Sequence, residues 1–568
     1  MIEIKEKALK WCKFPFDSQT QKDVKALFDY PDQLEDSFYK DLEFGTGGMR
    51  GIMGVGTNRI NKYTLGKAAH GLSLYLKSKF PEKNIKVVIA YDCRHNSKLF
   101  SKIISSILLA NDIEVYLFSS LRTTPELSYS VRYLKANCGI VLTASHNPPE
   151  YNGFKVYWKD GGQIVPPYDE ELMEKINSIS FNEILFNGTN DKLNLIDKEI
   201  DDAFIETSTQ LAKQDDLKLR NIKIVYTPLH GTSIMSIPQV LKKAGHESLI
   251  IIDEQSKPDG SFPTVKSPNP EEPDALQMAI NRAKKENADI VIGTDPDSDR
   301  LGISVKNKQE EFVILNGNQT MLLMAHFILK KRKEKGLLSS KDFIASTIVS
   351  SPVMQKVANN FGVECLITLT GFKWIGKEIE ERKDQNFIFG GEESFGYLIG
   401  DKIRDKDAVT SALLICEIVS VLKTKEKTLY DFMIECYKLY GPYKERLISY
   451  KLEGLSGEIK IKNMMENYRN NPPNKINNQF IISIQDYLNS TKTNVKSKTV
   501  NDINLPKSDV IIYTLNDNSK IAIRPSGTEP KIKFYFSVNN KDFKNNCWES
   551  TEEELDKRID SIISDLNL

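Results

Sequence analysis

The sequence has few cysteines, and they follow no pattern typical of a disulfide framework or a metal site. The seven cysteines are scattered along the chain, are odd in number and are never spaced as C-x-x-C. This spacing argues against both paired disulfides and a cysteine-ligated zinc ion. We therefore expect reduced and mostly buried thiols, as in a cytosolic protein.

An excess of charge of either sign is also absent. Lysine plus arginine and aspartate plus glutamate each number 77, so the formal net charge is zero. The balance gives no global electrostatic reason to expect nucleic acid or an anionic membrane as a partner. Any anionic ligand must therefore be held by local charge.

The sequence also lacks a run typical of a membrane anchor. The N-terminus has no long apolar core of a signal peptide. The apolar stretch at 411–422 is too short for a membrane span and is interrupted by Glu417, so it predicts a buried helix. We expect a cytoplasmic protein with no membrane partner.

The length of the chain and the alternation of its elements predict several domains. At ~150 residues per domain, 568 residues correspond to about four domains. Beyond a helical N-terminal arm ending near residue 40, apolar runs of strand length alternate with segments of helical periodicity, which favours α/β domains with largely parallel sheets. After Pro442 asparagine and lysine become common, and the last domain has an α+β pattern. The predicted domains are 1–205, 206–325, 326–442 and 443–568.

The first candidate for chemistry is the loop Thr143-Ala144-Ser145-His146-Asn147-Pro148. It follows the apolar run 138–142, which predicts a short buried strand, so Ser145 lies where that strand ends. Pro148 and Pro149 disfavour continuation of the loop into a helix. Ligands of open α/β sheets bind at such strand ends. The alternative is a surface turn that happens to contain a serine and a histidine.

Three carboxylates, Asp295, Asp297 and Asp299, follow a later predicted strand. At alternate positions of an extended loop they repel one another unless a cation lies between them, and all-oxygen ligation selects Mg²⁺ or Ca²⁺. An EF-hand is excluded, because its sixth and twelfth positions require Gly and Glu but are Arg300 and Lys306 here. Three carboxylates with room for phosphate oxygens suit one Mg²⁺ per chain. The alternative is a solvated acidic turn.

A glycine-rich segment at 45–51 contains Arg50, and further glycines follow at 54 and 56. So many glycines indicate a backbone that is tightly turned or must come close to another group. Arg50 lies in the middle of them and is therefore a candidate ligand for an anion.

The loop at 390–396 also follows a predicted strand. Glu392 and Ser394 are two residues apart, so in an extended segment they lie on the same side. A carboxylate and a hydroxyl in that arrangement can bind vicinal sugar hydroxyls. A capped helix start explains the same residues equally well.

The loop at 524–531 is rich in hydrogen-bond donors. It combines the planar fork of Arg524 with the hydroxyls of Ser526 and Thr528, and Gly527 lets backbone N–H groups approach a ligand. Together these groups predict a binding site for a phosphate dianion. The alternative is a plain hairpin turn.

In their order and spacing these motifs resemble the α-D-phosphohexomutase superfamily, and within it the long phosphoglucomutase/phosphomannomutase branch. The motifs are Thr-Ala-Ser-His-Asn-Pro, Asp-Pro-Asp-Ser-Asp-Arg, Gly-Glu-Glu-Ser-Phe-Gly and Arg-Pro-Ser-Gly-Thr, and the segment 45–51 is similar to the N-terminal glycine-arginine motif of the family. The resemblance extends from about Phe44 to the C-terminus. It implies three α/β domains of similar topology plus a C-terminal α+β domain around a central active-site cleft.

The resemblance also implies an activity. Members interconvert sugar 1- and 6-phosphates through a phosphoserine, here Ser145, with glucose 1,6-bisphosphate as the activating intermediate. The residues expected at the reacting phosphoryl group are Ser145, His146, Lys155 and Arg50, and those expected to hold Mg²⁺ are phosphorylated Ser145, Asp295, Asp297 and Asp299. Lys155 is the first candidate for proton transfer, which requires that a neighbouring arginine or the metal lower its pKa.

The remaining residues carried over by the resemblance bind the substrate. The Arg524 loop is expected to hold a second, non-reacting phosphate, and Glu392 and Ser394 to bind sugar hydroxyls in both orientations of the ring. The full set is Arg300, Thr370, Gly371, Lys373, Glu392, Ser394, Arg524, Ser526, Gly527, Thr528 and Lys531.

The substrate is less narrowly defined than the chemistry. The Gly-Glu-Glu-Ser-Phe-Gly form and the segment 404–407 are similar to those of glucose-preferring members, and mannose phosphates, which differ only at C2, stay open as further substrates. Phosphopentomutase and glucose 1,6-bisphosphate synthase are alternatives on neighbouring branches. A phosphatase would have to admit water to the phosphoserine, and a non-catalytic binding protein would be free to lose Ser145 or an aspartate. We expect small-molecule sugar phosphates as ligands and a monomer or homodimer.

Overall fold

The computed structural model describes residues 2–45, 47–81, 84–213, 220–452, 454–526, 531–540, 543 and 547–568. Three helices come first: α1 (Ile2–Trp11), α2 (Ser18–Leu27) and α3 (Pro31–Phe38). Trp11 stacks on Phe16 at 4.2 Å, and both pack with Phe38 against Tyr63 of the first domain. The predicted helical arm is therefore confirmed, and its aromatic residues hold it on the first domain.

The first domain contains a mixed seven-stranded sheet. Its elements are β1 (Phe44–Gly45), β2 (Gly48–Ile52), α4 (Lys62–Lys79), β3 (Lys86–Tyr91), α5 (Ser97–Ala110), β4 (Glu114–Phe118), α6 (Thr124–Tyr133), β5 (Cys138–Leu142), β6 (Tyr151–Trp158), α7 (Tyr168–Asn177), β7 (Leu193–Ile196) and α8 (Lys198–Ala212). The strand order is β1-β2-β6-β5-β3-β4-β7.

Half of the pairings in this sheet are antiparallel, so the prediction of a largely parallel sheet is wrong. β5, β3, β4 and β7 run parallel to one another, whereas β6 runs antiparallel to β5 and β2, and β1 runs antiparallel to β2. The reason is the length of the β5–β6 connection. The residues 143–150 are fewer than the dozen or more that a parallel crossover needs, so β6 returns beside β5 in the opposite direction.

The second and third domains contain five and four strands. The second has β8 (Ile224–Thr227), α9 (Ile237–Ala244), β9 (Leu249–Ile251), α10 (Asp253–Ser256), α11 (Pro273–Glu286), β10 (Ile290–Thr294), β11 (Leu301–Lys306) and β12 (Phe312–Leu315), in the sheet order β12-β11-β10-β8-β9. The third has α12 (Gly317–Glu334), β13 (Asp342–Thr347), α13 (Val353–Phe361), β14 (Glu364–Thr368), α14 (Phe372–Glu381), β15 (Asn386–Glu392), β16 (Gly396–Ile399), α15 (Ala408–Lys423) and α16 (Leu429–Tyr440), in the order β14-β13-β15-β16.

The three α/β domains repeat one local arrangement of strands. The orders β6-β5-β3-β4, β11-β10-β8-β9 and β16-β15-β13-β14 are equivalent, with one antiparallel and two parallel pairings in each. In each domain a predicted motif spans or follows the end of β5, β10 or β15, and the chain then returns as the antiparallel strand. The repeated topology therefore places the three motifs at equivalent positions, at the carboxyl end of the strand between the parallel and antiparallel parts of its sheet.

The fourth domain is an antiparallel sheet with two helices. Its elements are β17 (Tyr443–Lys451), α17 (Gly454–Asn470), β18 (Lys475–Ile476), β19 (Gln479–Asp486), β20 (Thr491–Asn494), β21 (Val500–Asp502), β22 (Ile511–Leu515), β23 (Lys520–Pro525), β24 (Lys531–Asn539) and α18 (Trp548–Asp565). The order is β17-β24-β23-β22-β19-β20-β21, with β18 beside β19. The sequence of this domain predicts strands near 519–524 and 531–537 and a closing amphipathic helix from about Glu552. The two strands are confirmed, and the helix begins earlier, at Trp548. The α+β pattern is confirmed as well.

Burial agrees with the prediction for the apolar stretch at 411–422. It lies in α15, where the side chains of these residues are buried, including Glu417. In the part of the chain that the structure describes, no helix is both long and apolar enough to cross a membrane. The domain boundaries stay a prediction, and the one after residue 205 falls inside α8.

Candidate active site

The predicted motifs meet at one cavity of about 860 Å³ to which all four domains contribute. The predicted residues that line it are Arg50, Ser145, His146, Lys155, Asp299, Arg300, Thr370, Gly371, Lys373, Glu392, Ser394, Arg524, Ser526 and Lys531. Asp295 and Asp297 are fully buried and contact Ser145 and Lys155 at its edge. Gly527 and Thr528 lie outside the described residues.

Ser145 lies in the loop after β5 with an unusual backbone conformation. Its φ of +54° falls in the left-handed region, which residues other than glycine rarely adopt, and such strain clusters at functional sites. The Ser145 N–H donates to Thr143 Oγ1 over 2.8 Å. The Ser145 hydroxyl donates to Asp295 Oδ2 over 2.5 Å and lies 3.1 Å from His146 Nδ1. The hydroxyl is therefore fixed between a carboxylate and an imidazole.

The aspartates after β10 form one buried cluster. One carboxylate oxygen from each of Asp295, Asp297 and Asp299 lies within 4.8 Å of the others. Burial, together with the charges of its two neighbours, raises the pKa of Asp295 well above its usual range. The Oδ1 atoms of Asp297 and Asp299 are buried and accept no hydrogen bond from the described residues.

This cluster can hold a metal ion. It offers oxygen ligands only, which hard cations such as Mg²⁺ and Ca²⁺ prefer. Two of its oxygens have no hydrogen-bond donor among the described residues, and its three charges repel one another in a buried site. The donor set and the orphaned oxygens therefore both fit a divalent cation.

Two lysines contact the aspartates. Lys155 Nζ donates to Asp297 Oδ2 over 2.6 Å and to Asp299 Oδ2 over 3.2 Å, and Lys406 Nζ lies 3.1 Å from Asp299 Oδ2. Burial by itself lowers the pKa of Lys155, but the two aspartates outweigh it and raise that pKa above its usual value. A base working near neutral pH needs the opposite direction. With these partners Lys155 is a protonated hydrogen-bond donor.

Arg50 and His146 complete the surroundings of Ser145. Arg50 Nη1 donates to Asn147 Oδ1 over 3.3 Å, and its buried Nε has no acceptor among the described residues. Burial, followed by the charges of Arg300 and Arg50, lowers the pKa of His146 well below its usual range. The imidazole beside the serine hydroxyl is therefore neutral.

The glycine-rich segment that carries Arg50 is tightly turned, as predicted. Gly48 has a φ of +93°, and a Cβ there would lie 2.8 Å from the carbonyl oxygen of Phe154. Only glycine allows β2 to approach β6 this closely. The close approach brings Arg50 beside the loop of Ser145.

Glu392 and Ser394 lie in a hairpin, so the predicted extended geometry is wrong, and so is the alternative of a helix start. Glu392 pairs with Gly396 across β15 and β16, and the residues between them form a tight turn with Phe395 at a φ of +63°. The antiparallel return of β16 leaves too few residues for an extended loop. Both side chains nevertheless line the cavity.

The backbone after β14 holds Glu392 in place. Glu392 Oε1 accepts from the Gly371 N–H over 2.8 Å, and burial together with a neighbouring glutamate raises the pKa of Glu392 to about 7. Thr370 Oγ1 is buried without a partner among the described residues. Lys373 Nζ donates to Asp169 Oδ2 of α7 over 3.2 Å. A carboxylate, a hydroxyl and an ammonium group thus share one wall of the cavity.

Residues of the fourth domain make another part of the cavity lining cationic. Arg524 of β23 pairs in register with Lys533 of β24, and both line the cavity with Ser526 and Lys531. Burial, followed by the charge of Arg524, lowers the pKa of Lys533. The strands that flank this motif, β23 and β24, are antiparallel, and residues 527–530 between them lie outside the described residues.

Arg300 is already engaged by a carboxylate. Its Nη1 donates to Glu271, and its Nε lies 3.9 Å from Asp299 Oδ1. Burial by itself lowers the pKa of Arg300, but Glu271 and the aspartates outweigh it and raise that pKa. Arg300 therefore links the loop of the three aspartates to Glu271, which lines the cavity.

Sequence reasoning missed four residues of the site: Arg94, Glu271, Lys406 and Lys533. Lys533 could have been predicted from the sequence, because it is two residues beyond Lys531 and a strand places both side chains on one face. Arg94 follows β3, the neighbour of β5, so both loops leave the same edge of the sheet. Lys406 lies in the noted segment 404–407, but its contact with Asp299 depends on how two domains pack.

Comparison with known proteins gives matches over most of the chain. Residues 41–183, 202–308 and 316–440 match the models described as phosphoglucomutase/phosphomannomutase, alpha/beta/alpha domains I, II and III. The phosphoglucomutase of Staphylococcus aureus strain MRSA252 is 38% identical over 533 residues, which cover 92% of this chain and 94% of the relative.

Solved structures share the fold. A putative phosphomannomutase from Thermus thermophilus has a TM-score of 0.68 at 20% identity and covers 91% of this chain and 99% of its own. The open form of the exocytosis-sensitive phosphoprotein pp63/parafusin from Paramecium has a TM-score of 0.66 at 17% identity, with 92% and 96% covered. The predicted fold class, three α/β domains and a C-terminal α+β domain, is confirmed.

Proposed function

Because this chain belongs to the phosphoglucomutase/phosphomannomutase family of the α-D-phosphohexomutases, we propose that it is an intramolecular phosphotransferase that interconverts glucose 1-phosphate and glucose 6-phosphate. The observation that carries the proposal is the shared cavity. Ser145, backed by three buried carboxylates, and the cationic wall of Arg524 line the same space of about 860 Å³. A nucleophile and a separate cationic cluster that line one cavity suit a substrate that reacts at either end.

Ser145 is the proposed carrier of the phosphoryl group. In the forward direction O6 of glucose 1-phosphate attacks the phosphorus of phosphorylated Ser145, the bond to Ser145 Oγ breaks, and glucose 1,6-bisphosphate forms. After the bisphosphate turns around, Ser145 Oγ attacks its 1-phosphate, and glucose 6-phosphate leaves. Phosphate is conserved on the enzyme, so no net cofactor is consumed.

The proposed metal is one Mg²⁺ per chain. Asp295, Asp297 and Asp299 would hold it together with an oxygen of phosphorylated Ser145. When bound, Mg²⁺ neutralises charge on the transferring phosphoryl group and helps to align it. The short contact of Ser145 Oγ with Asp295 Oδ2, 2.5 Å, supports this assignment, because it places the nucleophile beside the carboxylates.

Positive charge from the chain itself surrounds the same point. Arg50 and Lys155 line the cavity beside Ser145. The buried N–H at Nε of Arg50 has no acceptor among the described residues, so it can donate to a ligand. Phosphoryl transfer depends chiefly on positioning and on neutralisation of the equatorial oxygens. We assign Arg50 and Lys155 to that neutralisation and His146 to the hydrogen bond with Ser145 Oγ.

Proton transfer is divided between Lys155, which donates, and His146, which accepts. Lys155 fits as a donor to the departing oxygen, because its aspartate partners raise its pKa. Neutral His146, whose pKa is lowered, fits as an acceptor near Ser145 Oγ at 3.1 Å. The two directions suit an acid and a base respectively.

The cationic part of the cavity lining is assigned to binding the non-reacting phosphate. Arg524, Ser526, Lys531 and Lys533 line it, and a dianion there would meet charge-assisted donors. Gly527 and Thr528 belong to the same motif and are assigned to this site from the sequence. One fixed phosphate site serves both orientations of the intermediate.

The sugar lies between the two phosphate positions in this proposal. Glu392 and Ser394 bind its hydroxyls, with Thr370, Gly371, Lys373 and Arg300 along the same side of the cavity. An acceptor and a donor that contact vicinal hydroxyls can serve both orientations when those hydroxyls exchange places.

Mannose phosphates differ from glucose phosphates at one carbon and are proposed as poorer substrates. A phosphopentomutase or a glucose 1,6-bisphosphate synthase would use the same residues, and relative rates on ribose 1-phosphate decide that point. A monomeric or homodimeric state and a cytoplasmic location are proposals from the sequence alone.

The test compares wild type with Ser145→Ala. We expect wild type to convert glucose 1-phosphate to glucose 6-phosphate when primed with glucose 1,6-bisphosphate, and the variant to lose at least about 10³-fold in kcat. Ser105→Ala, a buried serine of α5 that donates to the Ser101 carbonyl, is the matched control and should keep the wild-type rate. Release of inorganic phosphate without glucose 6-phosphate would identify a phosphatase instead, and full activity of Ser145→Ala would refute the assignment.

A further inference from the structure

Arg94 binds the backbone of the loop that carries Ser145. Its Nη2 donates to the carbonyl oxygens of Ser145, over 2.6 Å, and of Asn147. Its Nη1 donates to the carbonyl oxygens of Pro148, over 2.8 Å, and of Tyr151, over 3.0 Å. One guanidinium group therefore binds four carbonyls between Ser145 and the start of β6.

The guanidinium group is itself held from two sides. Its Nε lies 3.4 Å from Asp92 Oδ2, and both side chains are fully buried. Asp92 Oδ1 in turn accepts from the Arg94 N–H over 2.9 Å and from Ser97 Oγ over 2.8 Å. Phe262 of the second domain places its ring 5.0 Å from Arg94 Cζ. The orientation of Arg94 is thus fixed by its own loop and by a turn of the neighbouring domain.

Arg94 supplies hydrogen-bond donors to a loop whose carbonyls have no partners from a helix or a strand. The residues 143–150 form neither helix nor strand, so their buried carbonyls need other donors. Ser145 also has a φ of +54°, and such a conformation persists only when its surroundings over-determine it. A planar fork with five N–H donors can bind four carbonyls at once, whereas the single ammonium group of lysine cannot span them.

We infer that Arg94 is a positioning residue that sets the direction of Ser145 Oγ through the backbone of its loop. Arg94 is not among the residues that line the cavity, so it acts without touching the sugar phosphate. The inference rests on the proposed function, in which Ser145 Oγ must lie in line with the phosphoryl group. A displacement of about 1 Å from that geometry is enough to slow a reaction on the order of 100-fold.

The test compares Arg94→Lys with Arg122→Lys. Arg122 is an equally buried arginine of the same domain, but it binds the carboxylates of Asp201, at 2.7 Å, and Asp197, and it makes no hydrogen bond to the described loop of Ser145. We expect both variants to lose similar thermal stability. Only Arg94→Lys should lose kcat on the order of 100-fold, with KM for glucose 1-phosphate within about threefold of wild type.

A purely structural role would not separate the two variants. If kcat falls equally in both, or if Arg94→Lys keeps kcat within about threefold of wild type, the inference is refuted. Chemical rescue adds a second readout: guanidinium ion at low concentration should restore part of the kcat of Arg94→Ala and none of that of Arg122→Ala, and absence of rescue in Arg94→Ala would count against the inference.

Two further outcomes are also decisive. Where Arg94→Lys does not fold, Phe262→Leu removes only the ring against the guanidinium group and should lower kcat severalfold at unchanged KM, whereas an unchanged kcat would refute the role. A wild-type protein without mutase activity would contradict the proposed function rather than the role of Arg94. An active wild type with an equally active Arg94→Lys would contradict the role of Arg94 alone.

Discussion

Asp297→Asn removes one charge from the aspartate cluster and keeps the shape of the side chain. With oxygens within 4.8 Å of one another, each pair of ionised carboxylates repels by at least about 3 kcal/mol at an effective dielectric constant of ~20. Ionising all three, as binding of a divalent cation requires, therefore costs about 10 kcal/mol, and without the cation the raised pKa of Asp295 avoids part of this repulsion. Neutralising Asp297 removes two of the three pairs. The variant therefore loses a charged ligand and most of the repulsion that a divalent cation relieves.

The expected loss of metal affinity follows from this. Mutation of groups that only support metal ligands costs about 10- to 100-fold in affinity, so loss of a charged ligand should cost at least about 100-fold, or about 2.7 kcal/mol. At a Mg²⁺ concentration about 100 times the wild-type Kd, binding stabilises the folded wild type by about 2.7 kcal/mol. With a Kd 100-fold weaker, the same concentration stabilises the variant by only about 0.4 kcal/mol.

Titration calorimetry with MgCl₂ measures the two affinities directly, and thermal unfolding with and without MgCl₂ checks them independently of activity. Asp342→Asn is the matched control, since Asp342 is buried at the start of β13 and accepts from Ser339 Oγ and Asn386 Nδ2, both at 2.9 Å. The control should bind Mg²⁺ like wild type. Equal affinity in Asp297→Asn and wild type, or a full mutase rate in the presence of a chelator, would overturn the assignment of the metal site.

Two further predictions concern the walls of the cavity. Lys533→Gln should raise KM for glucose 1-phosphate about 10- to 100-fold, because a charge-assisted hydrogen bond of roughly 1.5–3 kcal/mol is lost; an unchanged KM in steady-state assays would place the second phosphate elsewhere. Glu392→Gln should raise KM above pH 7 and change it little below, because burial raises the pKa of Glu392 to about 7 and the wild-type carboxylate is charged only above that pH. The same raised pKa means that Glu392 contributes stability at low pH that is lost as the pH rises through about 7, so the variant should lack this decline. Steady-state assays between about pH 6 and pH 8 measure the effect on KM, and thermal unfolding between about pH 4 and pH 8 measures the loss of stability, which falls between the unfolded pKa and about 7. A KM ratio independent of pH would contradict the role of the ionised carboxylate.

Much of the fold was predictable because its signals are local. The run 138–142 is apolar and short, and β5 has the predicted bounds. The antiparallel half of the first sheet was missed, because direction depends on connection length and not on the composition of the strand. In the fourth domain β17 to β22 were missed. β20 and β21 are short, polar and largely exposed and resemble a loop in composition, whereas β22, at Ile511–Leu515, is apolar and buried and could have been predicted.

The site was predictable in its motifs but not in its contacts. Residue types near strand ends predicted Ser145, the aspartates and Arg524 as site residues, and the structure brings them to one cavity and its edge. The pairing of Lys155 with Asp297 joins residues of two domains, and no local pattern encodes the packing of one domain on another. The same holds for Lys406 with Asp299 and for the ring of Phe262 on Arg94.

Backbone hydrogen bonds tie the aspartate loop to its neighbours. The Thr124 N–H donates to the Asp297 carbonyl over 2.9 Å, and the Ala408 N–H, at the start of α15, donates to the Ser298 carbonyl over 3.1 Å. The Leu301 N–H donates to the carbonyl of Phe395, in the hairpin of β15 and β16, over 2.9 Å. The first and third domains are therefore both fixed to the loop of the second.

The fourth domain meets the others through side chains. Lys520 donates to the Ile348 carbonyl of the third domain, and the exposed pair of Lys40 and Glu458, 2.9 Å apart, links α17 to the end of the N-terminal arm. Exposed ion pairs contribute only about 0–1 kcal/mol. Buried apolar side chains also join the fourth domain to the third, since Ile348, Val349 and Leu369 form one cluster with Ile512, Ala522 and Tyr535. The part of the cavity lining that carries Arg524 is therefore held on the third domain by a shared apolar core, which contributes more than the exposed ion pair.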